Sequence, residues 1–355
     1  MDIRHLDWDA IVDRYETAFH RENHDRPVLH VSFANGKTPT PPPAPVSIRE
    51  RWFNFDWRID AAEAQFEGID YLCEGFPTLW CNLGPDVLAG FMGCDLDFSD
   101  PGTSWAKPRV ADWAAEPPLR FHRDGWLWQQ MEKYLRLAAA RGAGRWLTGS
   151  GDLHTNADGL AALRGPDNLL IDLIDRPDEI KKRLRECHDV FRQVFQAHID
   201  IIHPPAGGCN SSWMDATCRG KYLIAQNDFS CMVSREMFDE FFGEYVEKEA
   251  LEADHTVYHL DGPNALQHTE TICAAPHLDL VQWVPGAGHR PLPEWPDVLK
   301  KIHGLGKGLW LYGNAKECTT MMEYLPPEGC IYRVGCGSRD EAESLVRFCR
   351  QRYGC

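Results

Sequence analysis

Apolar residues recur along this chain in two rhythms. Between positions 3 and 26, Leu6, Trp8, Ile11, Val12, Tyr15 and Phe19 fall at helical spacing, which predicts an amphipathic N-terminal helix. Positions 167–202 carry Leu, Ile and Val at 3.6-residue spacing, and Pro177 predicts a break there between two helices. Ser234 is placed to cap a helix over 234–253, with Phe238, Phe241, Phe242 and Tyr245 along one face. A last helix is expected over 339–353. Between these stretches lie short apolar runs that end at or near Gly, Asn, Asp or Ser. They are 28–33, 78–83, 145–148, 212–214, 222–225, 256–259, 280–284, 308–312 and 330–334. Pro39, Pro41, Pro42, Pro43 and Pro45 exclude regular helix and central strand, and predict a surface loop or extended arm.

Alternating strands and helices imply a parallel sheet. In a chain of 355 residues this rhythm fits a single (β/α)8 TIM barrel better than an open doubly wound sheet. A barrel needs eight strands, so one of the nine candidates is peripheral or false. The expected organisation is an N-terminal extension over 1–50, with helix, first strand and proline-rich arm, and a barrel catalytic domain over 51–355. No G-x-G-x-x-G follows the first strand, and no G-x-x-x-x-G-K-[ST] occurs, so dinucleotide and P-loop readings lose their usual support.

In a barrel, reacting groups sit at the C-terminal ends of the strands. The most informative such segment is Tyr258-His259-Leu260-Asp261-Gly262. On a strand, His259 and Asp261 point the same way, which puts an imidazole and a carboxylate side by side. They read as metal ligands, or as a pair that satisfies a loop backbone. Cys336 stands between Gly335 and Gly337 after the last strand candidate. It reads as a third ligand, or as one buried cysteine among thirteen. Gln226-Asn227-Asp228 follows another strand candidate, with Gln226 placed to orient a substrate and Asp228 as acid or base; the bland reading is a helix-capping loop. His154 and Asn156 follow a further strand and are placed to line a pocket, although turn chemistry explains Asn156 equally. Trp283 precedes a Gly-rich loop, as pocket wall or as core.

Composition narrows the partners. The net charge of −16 is spread without a long acidic run, and no Lys/Arg cluster offers a nucleic-acid footprint. No secretory signal and no run of about 18 apolar residues is present, so no membrane partner is expected. The scattered cysteines suit reduced thiols in the cytoplasm.

At these segments the sequence resembles the uroporphyrinogen decarboxylase superfamily, which includes zinc-dependent methyltransferases that work with corrinoid proteins. The likeness runs from about Leu72 onward. It is carried by Phe76-Pro77-Thr78-Leu79-Trp80 and by positions 158–165, 226–242, 259–263 and 280–288. It implies a (β/α)8 barrel. True porphyrinogen decarboxylases carry an arginine-rich segment near the N-terminus, whereas the strand at 26–31 continues into Ser32-Phe33-Ala34-Asn35 without one. The methyltransferase branch holds zinc with His-x-Cys and a later Cys. His259 and Cys336 match that pattern, and Asp261 replaces the first Cys.

The resemblance therefore implies zinc on His259, Asp261 and Cys336, with Asp228 and His154 orienting substrate or moving a proton. The reaction would move a methyl group between a small ether or amine and a corrinoid carried by a partner protein. Two other readings stand beside it. One is a metal-independent decarboxylase of a small acid or porphyrinogen-like substrate; the other is a barrel retained only for binding. A homodimer is compatible with all three.

Overall fold

The computed structural model describes residues 6–354. Eleven strands form: β1 Val28–Ala34, β2 Ile69–Cys73, β3 Thr78–Trp80, β4 Asp95–Asp97, β5 Trp105–Lys107, β6 Leu147–Gly149, β7 Tyr222–Gln226, β8 His255–Asp261, β9 Leu280–Val284, β10 Gly308–Asn314 and β11 Cys330–Cys336. Seven make one sheet, in the order β2-β1-β11-β10-β9-β8-β7. Every pairing in it is parallel except β1 with β2. β3 pairs with β6 in parallel, and β4 with β5 antiparallel. The molecule is thus α/β with a mostly parallel central sheet. β1 lies inside that sheet, so a boundary at residue 50 does not separate it from the strands that follow.

Most expected elements form. The break at Pro177 separates helices Pro166–Asp175 and Pro177–Ile202, each opening on its proline as the ring's fixed φ favours. Ser234 caps helix Arg235–Phe241 by accepting from the Met237 N–H, and a second helix, Gly243–Ala250, follows directly. The expected N-terminal helix spans Trp8–Phe19; positions 3–5 lie outside the described residues. The strand expected over 212–214 does not form. That segment is irregular, and the chain around it contributes isolated parallel bridges, Gly149 with Ser211 and Cys209 with Gly220. The short strands β2, β4 and β5 were not legible as apolar runs.

Side chains alternate across the sheet, and the two faces meet different neighbours. Leu29, Val31, Leu223, Ala225, Tyr258, Leu260, Val281, Trp283, Leu309, Leu311, Tyr332 and Val334 join a large core with the flanking helices; we call this the packed face. Val28, Tyr222, Ile224, Val257, Leu280, Trp310 and Ile331 form a second core, together with Ile11, Val12, Tyr15, Ala18 and Phe19 of the first helix. These strand residues lie toward the N-terminal ends. The helix therefore plugs that end, and the C-terminal ends of the same face, the site face, carry polar groups. Each large apolar side chain fully buried in this way contributes roughly 1.5–3 kcal/mol.

One buried group makes the core acid-sensitive. His198 is fully buried, stacks on Trp128 at 5.7 Å between ring centroids, and has no hydrogen-bond partner for either ring nitrogen among the described residues. Burial pushes its pKa down to about 3. The unfolded ring takes a proton near pH 6.5 and the folded one does not, so its contribution is complete above about pH 6.5 and is lost as pH falls toward 3. His198→Leu should lose less melting temperature than the wild type between pH 7 and pH 4. Equal acid sensitivity in the two proteins would contradict this.

Candidate functional site

Strand register brings the site together. β7, β8 and β9 are neighbours, with Gln226 opposite His259, His259 opposite Gln282, and Asp261 opposite Val284. His259 and Asp261 are two apart on β8 and share the site face. Asp228 lies just past the end of β7. Ligand atoms of Asp228, His259 and Asp261 all fall within 4.8 Å of one another. The His259 Nδ1 is 2.5 Å from Gln282 Oε1. That oxygen only accepts, so Nδ1 carries the proton and Nε2 offers its lone pair. The edge of Trp213 packs against the same ring at 5.0 Å.

A second set of polar groups supports the first. The Asp158 carboxylate accepts from the backbone N–H of Asp228 at 2.9 Å and of Phe229 at 2.7 Å, which fixes the loop after β7. His154 lies between two carboxylates, Nε2 at 3.3 Å from Asp152 and Nδ1 at 3.9 Å from Asp158. Burial alone would hold that ring neutral. Asp152, then Asp158 and Asp228, outweigh burial and raise its pKa to about 10, so the ring is an imidazolium at neutral pH. Gln226 Nε2 donates to Asp152 Oδ1 at 2.6 Å. Burial, then the charge of Asp228, raises the Asp158 carboxyl against the pull of His154. Burial raises Asp261 too; His259 opposes it and Asp228 adds to it.

Three carboxylates, Asp152, Asp158 and Asp228, thus surround one cationic ring, and Asp261 lies beside His259 and Asp228. Among the described residues, Oδ1 of Asp228 and Oδ1 of Asp261 are buried without a hydrogen-bond partner, as are both amide atoms of Asn227. Buried acceptors without donors cost free energy unless a cation or donor meets them. One imidazole nitrogen and two carboxylate oxygens are ligands that zinc accepts, and the set equally suits harder first-row divalent ions. Among the described residues one other trio of such donors converges, Glu16, His20 and His255 at the plugged end. There both His255 nitrogens already meet carboxylates, Asp279 and Glu16, each at 3.1 Å.

Three of the expected residues lie apart from the trio of Asp228, His259 and Asp261. Cys336 does not join His259 and Asp261: among the described residues no trio of close donors includes it. The cause is strand alternation. Cys336 follows Tyr332 and Val334 onto the packed face and is buried in that core. Burial, then the charge of Glu341, raises its pKa to about 11, so it stays a thiol. Trp283 likewise belongs to the packed face. It is fully buried with its ring 5.4 Å from Trp295 and walls no pocket at the site. Asn156 is buried behind the site and donates to Glu249 at 3.4 Å, with φ at +58°.

Asp228, His154, Gln226, His259 and Asp261 do converge on one region. Gln282, Asp152, Asp158 and Trp213 complete it. Gln282 left a signal, as the one polar residue in the apolar run Leu280–Val284, at site-face parity.

Beside the site, a cavity of about 310 Å³ reaches Val284, Ala287, Arg290, Tyr312 and Glu317. A more apolar cavity of about 220 Å³ between Trp8, Trp146 and Ile202 has no titratable side chain in its wall. No family model matches the chain, and no curated protein matches it.

Removing Cys336 should therefore leave metal binding intact. Cys336→Ala should bind zinc with the wild-type dissociation constant and lose about 1 kcal/mol of stability, the scale of one small buried group. Gln282→Leu should keep the fold and bind metal roughly 10- to 100-fold more weakly, because the His259 ring loses its orienting acceptor. Isothermal titration with zinc on chelator-treated protein checks both.

Proposed function

We propose that this chain is a divalent-metal-dependent enzyme that removes a methyl group from a small ether or amine, with a reduced corrinoid on a partner protein as the methyl acceptor. The observation that carries the metal part is the convergence of His259 Nε2 with two carboxylates whose buried oxygens meet no donor among the described residues. The methyl-transfer part follows the sequence resemblance. The closed (β/α)8 barrel belongs to the same reading. The β3–β6 pair and the bridges at Ser211 and Cys209 extend the parallel strands beyond β7.

His259, Asp261 and Asp228 would hold the ion. When bound, it supplies a Lewis acid that draws electron density from an oxygen or nitrogen ligand. With two carboxylates and no thiolate, it suits an ether or amine better than a thioether. The carbon–heteroatom bond breaks, its electron pair stays on the heteroatom, and the methyl carbon passes to the corrinoid co-substrate. His154, held charged by Asp152, gives its proton to the departing oxygen or nitrogen. Gln226 fixes Asp152, and Asp158 fixes the loop that carries Asp228. Trp213 packs against the His259 ring in a T-shaped contact and helps hold its orientation.

Metal analysis of freshly purified protein should find about one divalent ion per chain, lost in His259→Ala and retained in His154→Gln. With cob(I)alamin as free acceptor, His154→Gln should lower turnover roughly 10²- to 10⁴-fold at unchanged metal content. Full activity after complete chelation, or carbon dioxide release without a corrinoid, would refute the reading and favour the metal-independent decarboxylase.

A further inference from the structure

The site-face positions of β1 and β7–β11 hold a single Lys or Arg, Arg333 on β11. Its Nε donates to Asp215 at 3.0 Å. Among the described residues, neither Nη donates to a protein acceptor, and the side chain is 43% exposed. A Cβ placed on Gly335, two residues further on the same face, would lie 4.0 Å from Nη1. The guanidinium therefore rises along β11 toward the strand's C-terminal end, and the glycine leaves that path open.

Register puts Arg333 level with the proposed metal ligands. It stands opposite Tyr312 on β10, and Asp261 stands opposite Val284 on β9. The β9–β10 register, Gly308 with Leu280, places Tyr312 at the level of Val284 when continued along the strands. Arg333 and Asp261 thus occupy one level, three strand spacings apart, or about 14 Å along the sheet. Both side chains reach inward and shorten that span. The imidazolium and four carboxylates lie at one end of it, and a fork of unpaired donors lies at the other.

We propose that Arg333 anchors a carboxylate of the substrate, so that the molecule demethylated here is a methyl ether or methylamine with a carboxylate at its far end. This rests on the preceding reading of the site face as a substrate site. A planar guanidinium with both Nη groups free matches a carboxylate in a two-pronged pair. Carboxylate repulsion from Asp158, Asp228 and Asp261 turns the molecule so that its methylated end faces His259.

The test is binding without turnover, on chelator-treated and on zinc-loaded protein, with methoxyacetate, 4-methoxybenzoate and neutral 4-methoxybenzamide as probes. Wild type should bind at least one acid, and Arg333→Gln should bind it at least about tenfold more weakly. Arg333→Lys should fall between, and the amide should not respond to the substitution. Asp215→Asn releases the guanidinium from its internal carboxylate and should tighten binding of the acids several-fold, which keeps the proposal testable if Arg333→Gln fails to fold. Equal affinity in Arg333→Gln, equal binding of acid and amide, or no acid bound by wild type at millimolar concentration would overturn it. Arg333-dependent binding without methyl transfer to cob(I)alamin would overturn the reaction and leave the anchor standing.

Discussion

The two-residue alternation of parallel strands governs this molecule. One face of β1 and β7–β11 must be apolar throughout, because flanking helices cover its whole length. The other face is divided along the strand. Its lower half meets the first helix and carries Val28, Tyr222, Val257, Leu280 and Ile331. Its upper half carries Gln226, His259, Asp261, Gln282 and Arg333, while His30 between the halves meets the first helix through the Tyr15 hydroxyl, 3.1 Å from its Nδ1. The polar groups of that face gather mainly at its C-terminal end, with His255 and its carboxylate partners at the plugged end, and Cys336 and Trp283, out of phase with it, are core.

Within that region electrostatics sets the arrangement. Asp152, Asp158, Asp228 and Asp261 repel one another where burial has removed much of their hydration. The structure relieves part of this with His154, and part with the backbone N–H groups of Asp228 and Phe229, both of which donate to Asp158. The remainder is concentrated on Asp228 and Asp261, whose inner oxygens meet no donor among the described residues. A surface carboxylate cluster would be solvated and say little. A partly buried one beside an imidazole is an arrangement of donors that a cation would complete.

Local rules were legible in the sequence, and long-range ones were not. The break at Pro177, the cap at Ser234 and the shared direction of His259 and Asp261 all follow from spacings of a few residues. The same two-residue rule places Cys336 with Tyr332 and Val334 among core residues; its glycine neighbours and the resemblance point instead to a ligand, and burial decides for the core. Asp228 belongs with His259 because β7 lies beside β8, which is a tertiary fact. β2 escaped notice because Asp70 interrupts its apolar run, and β4 because two of its three residues are aspartates.

The position of β1 has a consequence for how the chain reaches its native state. Among the described residues, the first strand lies between β2 and β11, the last strand in chain order. The opening helix rests on residues as distant as Tyr222 and Ile331. A ribosome releasing this chain therefore holds an early strand with one edge unsatisfied until nearly all of the sequence has emerged. Contacts of such long sequence separation slow folding and prolong exposure of a sticky edge. Exposure of that edge before β11 is in place is thus a property of the topology, independent of how stable the finished fold becomes.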